Sequence, residues 1–386
     1  MPEYIPFNRI FKDAEERKAL ADALDGDCWH GDGPAGKRVE SYLGEWLGSP
    51  HVFLTTSCTH ALEMAMLVLD IGEGDEVIMP SFTFVSTANA VRMRGARPVF
   101  ADIRDSDLTM DPEDVARKIT PSTRAVIPVH YAGVSADFDG LRKAVDGRDI
   151  AIVEDAAQAV GAYWNDRALG TVGDIGCFSF HDTKNITCGE GGAFLTGDAG
   201  LAEKAEWVRE KGTNRSAFLR GEIDKYTWVS QGSSYIPSDL LASLLEAQLR
   251  KKERILEARA GVWHAYRDRL ASAADKGWIR LPEIPPYART NYHIFHFHVR
   301  DLSDRDPLLN RFREAGIGAS FHYVPLHNAP YAQKILGAQP PLPRTEELAG
   351  TLIRLPLFPD LEKVKEAVAD RVLAVLTDYF TGKRGD

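Results

Sequence analysis

From position 51 onward, short and almost wholly apolar runs alternate with longer segments whose apolar residues recur every three or four positions. The runs HVFLT (51–55), EVIMP (76–80), RPVFADI (97–103), RAVIPVHY (124–131) and DIAIVEDA (149–156) predict strands. A strand buried on both faces is apolar throughout rather than alternating. Between the runs the spacing predicts helices over 59–69, 83–94, 112–119 and 137–145, the second of them closed by Gly95. CFSFH (177–181) and GAFLT (193–197) add two more strands, and amphipathic helices over 13–24 and 36–47 precede the series. This alternation predicts an α/β fold, a mostly parallel sheet with helices on both faces.

After Asp198 the pattern turns helical, with helices predicted over 199–211 and, as one long connector, about 238–272. A strand (292–300), a helix (305–315), a strand over ASFHYVPL (319–326) and a last helix (362–380) follow. PPYART (285–290) and AQPPLPRT (338–345) read as loops. Single cores rarely grow past about 250–300 residues. The expected division is therefore a large unit over 1–250 and a smaller α+β unit over 251–386.

Composition narrows the function. A net charge of −10 argues against nucleic acid or an anionic membrane as the main partner. An anionic small substrate remains open, since it needs only a local cationic pocket. The four cysteines (28, 58, 177 and 188) form no CxxC pair and no zinc-binding spacing with histidine, which predicts reduced thiols and no metal site. MPEYIPFNRIFKDAEERK has no signal-like apolar stretch, and the longest mostly apolar run, 61–71, carries Glu63 and Asp70. A cytoplasmic protein is expected.

Several residues at strand ends carry candidate chemistry. Lys184 follows the buried run CFSFH and precedes a Gly-rich turn, where its charge must be neutralised or paired. One answer is a Schiff base with an aldehyde cofactor; the other is a salt bridge. Asp155 ends an apolar strand, where ligands of open parallel sheets bind. It is either a partner for a pyridinium nitrogen or a helix cap, and Gln158 lies three residues on. Ser57, Cys58 and Thr59 open a helix, a place that suits an anion as well as an N-cap. Ser179 lies five residues before Lys184, and Phe84 sits where an aromatic ring can stack on a flat heterocycle or pack in a core. The order is more telling than any one residue: phosphate turn, aromatic, Asp, Ser and Lys follow each other at successive strand ends.

These motifs resemble the DegT/DnrJ/EryC1/StrS family of sugar aminotransferases over the whole length. The likeness runs from IPFNR (5–9) through TSCT, PSFTFVSTAN, PVHYAG (128–133), VEDAAQ (153–158), LGTVGDIGCFSFHDTKN (169–185) and GEGG (189–192) to RLPLFPDL (354–361). REKGTNR (209–215), DKYTW (224–228) and GSSY (232–235) look in particular like the subgroup that makes dTDP-4-amino-4,6-dideoxygalactose from dTDP-4-keto-6-deoxyglucose. The resemblance implies a fold-type I, aspartate aminotransferase-like enzyme using pyridoxal 5′-phosphate (PLP, cycling with its amine form PMP). It implies L-glutamate and a dTDP-keto-sugar as substrates, and a homodimer with shared active sites. Lys184 would carry the cofactor, Asp155 and Gln158 would meet its ring, Phe84 would stack on it, and Ser57, Cys58, Thr59 and Ser179 would hold its phosphate. Many members have Gly-Tyr-Asn-x-Arg at 232–236, whose Asn reaches the neighbouring subunit's cofactor. Here Ser234 stands in that place. Lys211, Arg215, His322, Tyr323 and His327 are the candidate contacts to the sugar nucleotide. Amination at C3, a keto-pentose substrate and a non-catalytic binding protein on the same fold are the alternatives. A related sugar dehydratase has His where this chain has Lys184.

Overall fold

The computed structural model describes residues 4–383. Two helices, α1 (Ala14–Asp25) and α2 (Pro34–Leu47), lead into strand β1 (His51–Thr55). Helix α1 starts at a capping box. The Asp13 side chain accepts from the Glu15 N–H, and the Glu16 carboxylate accepts from the Asp13 N–H. The alternating section follows: α3 (Cys58–Val68), β2 (Glu76–Pro80), α4 (Val85–Met93), β3 (Arg97–Ala101), α5 (Pro112–Lys118), β4 (Thr123–Val126), α6 (Phe138–Val145) and β5 (Ala151–Asp155). Two short strands, β6 (Tyr163–Trp164) and β7 (Arg167–Ala168), precede the buried pair β8 (Ile175–Ser179) and β9 (Gly192–Thr196).

The seven long strands form one sheet in the order β1-β9-β8-β5-β4-β2-β3. Strands β8, β5, β4, β2 and β3 run parallel, and β9 runs antiparallel to both of its neighbours. Helices cover both faces. One apolar cluster joins α3 and α7 (Ala199–Arg209) to the sheet, and another joins α2 and α9 (Asp239–Arg250) to the opposite face. All the parallel strands therefore end at one edge. The chain between β8 and β9 must turn at that edge, and Gly189, at φ +90°, supplies a conformation other residues adopt only with strain.

The predicted helix over 238–272 is two helices. Helix α9 ends at Arg250 and α10 (Lys252–Asp275) begins two residues later, because Lys251 leaves helical geometry (φ −115°, ψ 21°). Its buried ammonium lies 2.5 Å from Glu16 Oε1, so an ion pair to the N-terminal segment marks the break. Between α7 and α9 lies a surface segment with the short helix α8 (Arg215–Leu219).

The C-terminal part has its own apolar core, built from Ile5 and residues of 262–380. It packs α10, α11 (Leu302–Glu314) and α14 (Lys365–Gly382) around an antiparallel sheet β10-β12-β13 (Ile279–Arg280, Phe295–Val299, Leu352–Leu355). Strand β11 (Ala288–Arg289) instead pairs with β6. Two shorter helices, α12 (Pro330–Leu336) and α13 (Pro343–Thr351), stand where the sequence predicts no helix, and α13 overlaps the predicted loop 338–345. The predicted strand over 319–326 is not formed. Only Ser320 bridges to Arg354, and a 3-10 turn follows at Leu326–Asn328. His322 and Tyr323 stack on each other with ring centroids 3.5 Å apart, whereas consecutive strand residues point to opposite faces.

Candidate active site

At the carboxyl edge of the sheet a cavity of about 640 Å³ opens between the large sheet and the C-terminal part. Its walls come from residues just beyond the ends of β1, β2, β5 and β8, together with segments around β12 and β13. Ser57, Cys58, Thr59, Phe84, Asp155, Gln158, Ser179, Lys184, His322 and Tyr323 all line it.

Lys184 lies in the β8–β9 turn, held by its N–H donating to the His181 carbonyl at 2.9 Å. The next residue ties that turn to the C-terminal part. Asn185 donates to the Asn291 carbonyl at 2.9 Å, and its Oδ1 lies 2.8 Å from His293 Nδ1. Among the described residues the Lys184 amine has no hydrogen-bond partner and no carboxylate within ion-pair distance, although Asp155 is near enough to act on it electrostatically. Burial pushes its pKa down, which favours the neutral amine.

Asp155 closes β5 and is buried. Thr87 donates its hydroxyl to Oδ2 at 2.8 Å, and the Ala157 N–H reaches Oδ1 at 3.2 Å. No cation lies within ion-pair distance of it among the described residues. Burial raises its pKa, against the lowering effect of Thr87, the Ala157 N–H and Lys184. A buried carboxylate without a cation is costly, so this position calls for a positively charged partner.

The first turn of α3 faces the same space. The Ser57 hydroxyl caps it by accepting from the His60 N–H at 3.1 Å, and the Thr59 hydroxyl meets Ser86 at 2.7 Å. The N–H groups of Cys58 and Thr59 have no acceptor within the helix, as at any helix start. The Cys58 thiol donates to the Cys177 carbonyl at 3.5 Å, and burial drives its pKa up. Gly192 makes this approach possible, since a Cβ there would lie 2.4 Å from the Ser57 carbonyl carbon. Phe84, 57% exposed, stands at the cavity wall with its ring centroid 6.4 Å from that of Tyr323. Gln158 accepts from the Ala132 N–H at 2.7 Å and donates to the Tyr323 hydroxyl at 3.1 Å.

A family model described as the DegT/DnrJ/EryC1/StrS aminotransferase family matches residues 11–376. The chain belongs to this family. It is a fold-type I, PLP-dependent sugar aminotransferase. DesV of S. venezuelae, solved in complex with a ketimine intermediate, is 33% identical to it, with a TM-score of 0.85 over 97% of this chain and 98% of that one. TlmJ, an aminotransferase from Streptoalloteichus hindustanus, is 30% identical, with a TM-score of 0.88 over 97% and 100%. NtdA from Bacillus subtilis, with bound PMP, is 26% identical, with a TM-score of 0.86 over 98% and 86%.

The residues of the aminotransferase's cavity fit that cofactor. The cavity offers a lysine amine whose pKa burial lowers, a buried carboxylate lacking a cation, an anion-ready helix start and an aromatic face. Four expected contacts are not in the cavity of this chain. His327 is buried beneath it, Nδ1 against the Ser81 hydroxyl (2.7 Å) and Nε2 against Glu346 (2.9 Å), so both ring nitrogens are occupied in bracing the end of β2. Lys211, Arg215 and Ser234 are exposed on the surface segment that follows α7. Glu210 bridges to Ser234 there, and Arg215 pairs with Glu210 at 2.6 Å.

Four residues of the site carry no expectation from the sequence. Thr87 lies within PSFTFVSTAN, and its helical spacing from Thr83, whose hydroxyl it meets at 2.9 Å, was the available signal. Tyr131, in PVHYAG, places its hydroxyl 3.1 Å from His322 Nδ1. Arg259 and Arg354 bring two cations to the cavity from α10 and β13. Burial lowers the Arg259 pKa to about 9, and its guanidinium donates to the carbonyls of Tyr292 (3.2 Å) and His293 (2.6 Å). Burial, with Arg354 and Lys184 close by, pushes the His322 pKa down.

Proposed function

We propose that this chain transfers an amino group from L-glutamate to the C4 ketone of dTDP-4-keto-6-deoxyglucose, giving dTDP-4-amino-4,6-dideoxygalactose. The observation that carries the chemistry is one cavity holding both a buried lysine amine without an ion-pair partner, its pKa lowered by burial, and a buried carboxylate without a cation. The segments REKGTNR, DKYTW and GSSY support the choice of sugar.

Bound pyridoxal phosphate supplies an aldehyde for amine exchange and a protonated ring that takes up the electron pair left when a Cα proton departs. The chain's own groups do the rest. Lys184 Nζ carries the cofactor at rest. It takes the proton from the donor's Cα and later delivers one to C4 of the sugar. The face from which it delivers sets the new stereocentre, here the axial amine. Asp155 keeps a positive charge on the ring nitrogen, because a buried carboxylate favours a cation beside it. Ser57, Ser179 and the N–H groups opening α3 hold the phosphate, Gln158 meets the ring oxygen, and Phe84 flanks the ring. His322 and Tyr323 border the space left for the sugar.

The active unit in this reading is a cytoplasmic homodimer. The segment carrying Lys211, Arg215 and Ser234 bears Trp228, 80% exposed, and Tyr226, 51% exposed. Such aromatic surface favours a second copy, and Ser234 would then serve the neighbouring cavity. Residues 1–250 form the cofactor-binding unit and 251–386 the smaller one, an assignment supported by the separate C-terminal core. Among the described residues no helix is long and apolar enough to cross a membrane.

The test is a substrate panel with L-glutamate as donor: dTDP-4-keto-6-deoxyglucose, its 3-keto isomer and a dTDP-4-keto-pentose. The expected outcome is the highest kcat/KM with the first, and an axial C4 amine by NMR. Preference for either of the others would overturn the assigned sugar.

A further inference from the structure

Arg354, like Lys184 and Arg259, lines the cavity without a carboxylate within ion-pair distance among the described residues. It sits on β13, locked by pairing with His296 of β12 and by the backbone bridge to Ser320. Its Nε and Nη2 both donate to the Phe321 carbonyl, at 3.2 and 2.9 Å, and its guanidinium carbon lies 4.6 Å from the centre of the Phe7 ring. One edge of the guanidinium is therefore fixed by protein. Nη1 has no partner among the described residues, and no carboxylate lies within ion-pair distance of the group.

The held edge orients the free one. With Nε and Nη2 anchored, the Nη1/Nη2 edge is presented as a planar fork, the geometry that suits a carboxylate bidentately. Asp155 has its own place against the ring nitrogen, and Glu190 is exposed, so the cavity's remaining charge is cationic. An amino acid donor brings a carboxylate to this space whenever its amine is handed over.

We propose that Arg354 is the carboxylate-binding residue for the amino donor, which makes this cavity selective for amino acids over plain amines. The proposal rests on the aminotransferase reading of the same site and deepens it by naming what recognises the donor. Either carboxylate of L-glutamate offers the required chemistry. Replacing one of them at a time with an amide, as in L-glutamine and L-glutamate α-amide, tells them apart.

The test uses the holoenzyme and follows the two half-reactions separately by cofactor absorbance. The donor half-reaction is read with L-glutamate, its two amides and a primary amine lacking any carboxylate. The acceptor half-reaction is read with the aminated holoenzyme and a dTDP-keto-sugar. In the wild type, one of the two amides and the plain amine should react at least about 10²-fold less efficiently than L-glutamate. Arg354→Met should raise the L-glutamate concentration for half-maximal conversion by about 10²-fold. Arg354→Lys, which keeps the charge but loses the fork, should raise it by about 10-fold. The keto-sugar KM should stay within about 3-fold in both. Equal reactivity of all donors in the wild type overturns the proposal, and that arm needs no variant to fold. So does a rise confined to the keto-sugar KM, which would assign Arg354 to the nucleotide's phosphates. Donor discrimination that depends on Arg354, in an enzyme that aminates no dTDP-keto-sugar, keeps the proposal and removes the proposed sugar instead.

Discussion

Asp155 and Lys184 are placed where each is costly to keep charged, and in the proposed reading bound pyridoxal phosphate would relieve that cost. For Asp155 the sign can be worked out. Burial raises its pKa in the folded chain above the ordinary 3.8, so between those two values the folded state binds more protons than the unfolded one. Stability of the cofactor-free protein therefore falls as pH rises through that window, and the whole loss is present above it. Asp155→Asn removes the burden. At neutral pH the cofactor-free variant should melt no lower than the cofactor-free wild type, while the rise in Tm on adding pyridoxal phosphate should shrink. Turnover should fall about 10²-fold or more, since a hydrogen bond to a charged group is lost where the ring needs its proton. A variant with unchanged cofactor stabilisation and near-normal turnover would contradict the role. That Lys184 and Asp155 line one cavity was legible in the sequence, because both follow apolar runs that end at the same sheet edge. The place of Arg354 was not. Its proposed role depends on which carbonyl holds one edge of its guanidinium, and Phe321 is 33 residues away in the chain.

Among the elements, those of the parallel sheet were the most readable. Five continuous apolar runs gave β1 to β5, because burial on both faces leaves little room for another pattern; the run 124–131 is the exception in length, since β4 ends at Val126 and a 3-10 turn occupies Tyr131–Gly133. Short strands such as β6, β7 and β10 carry too few residues to show a period. The division of the long helix at Lys251 was hidden because the apolar spacing continues across it, whereas the ion pairs of Lys251 to Glu16 and Asp13 are formed only in the folded chain. Helix α13 had a local signal in Pro343 at its first turn, where a missing N–H does no harm. ASFHYVPL was expected as a strand, but the segment leaves the sheet and His322 and Tyr323 stand side by side in the cavity wall. That is a tertiary demand which no local spacing encodes.

At the scale of the whole molecule, the single chain leaves apolar surface uncovered. Helix α1 has no buried residue, Leu24 and Trp29 near its end are 48% and 56% exposed, and Trp228 stands out on the segment bearing Ser234. The homodimer reading accounts for this, and it predicts complementation between variants. Lys184→Ala and Ser234→Trp should each be weak or inactive alone. Mixed under conditions of subunit exchange, they should regain activity, since one site of each heterodimer has both residues intact. No recovery after confirmed exchange would mean that each chain completes its own site. Family membership, the cavity and the proposed transfer all converge on one amine. The most direct measurement is borohydride reduction of the wild-type enzyme with pyridoxal phosphate bound, followed by digestion and peptide mass mapping. The account predicts a stable pyridoxyl mass on the peptide bearing Lys184, and none on that peptide in Lys184→Ala. Attachment of the cofactor to any other lysine in the wild type would contradict it.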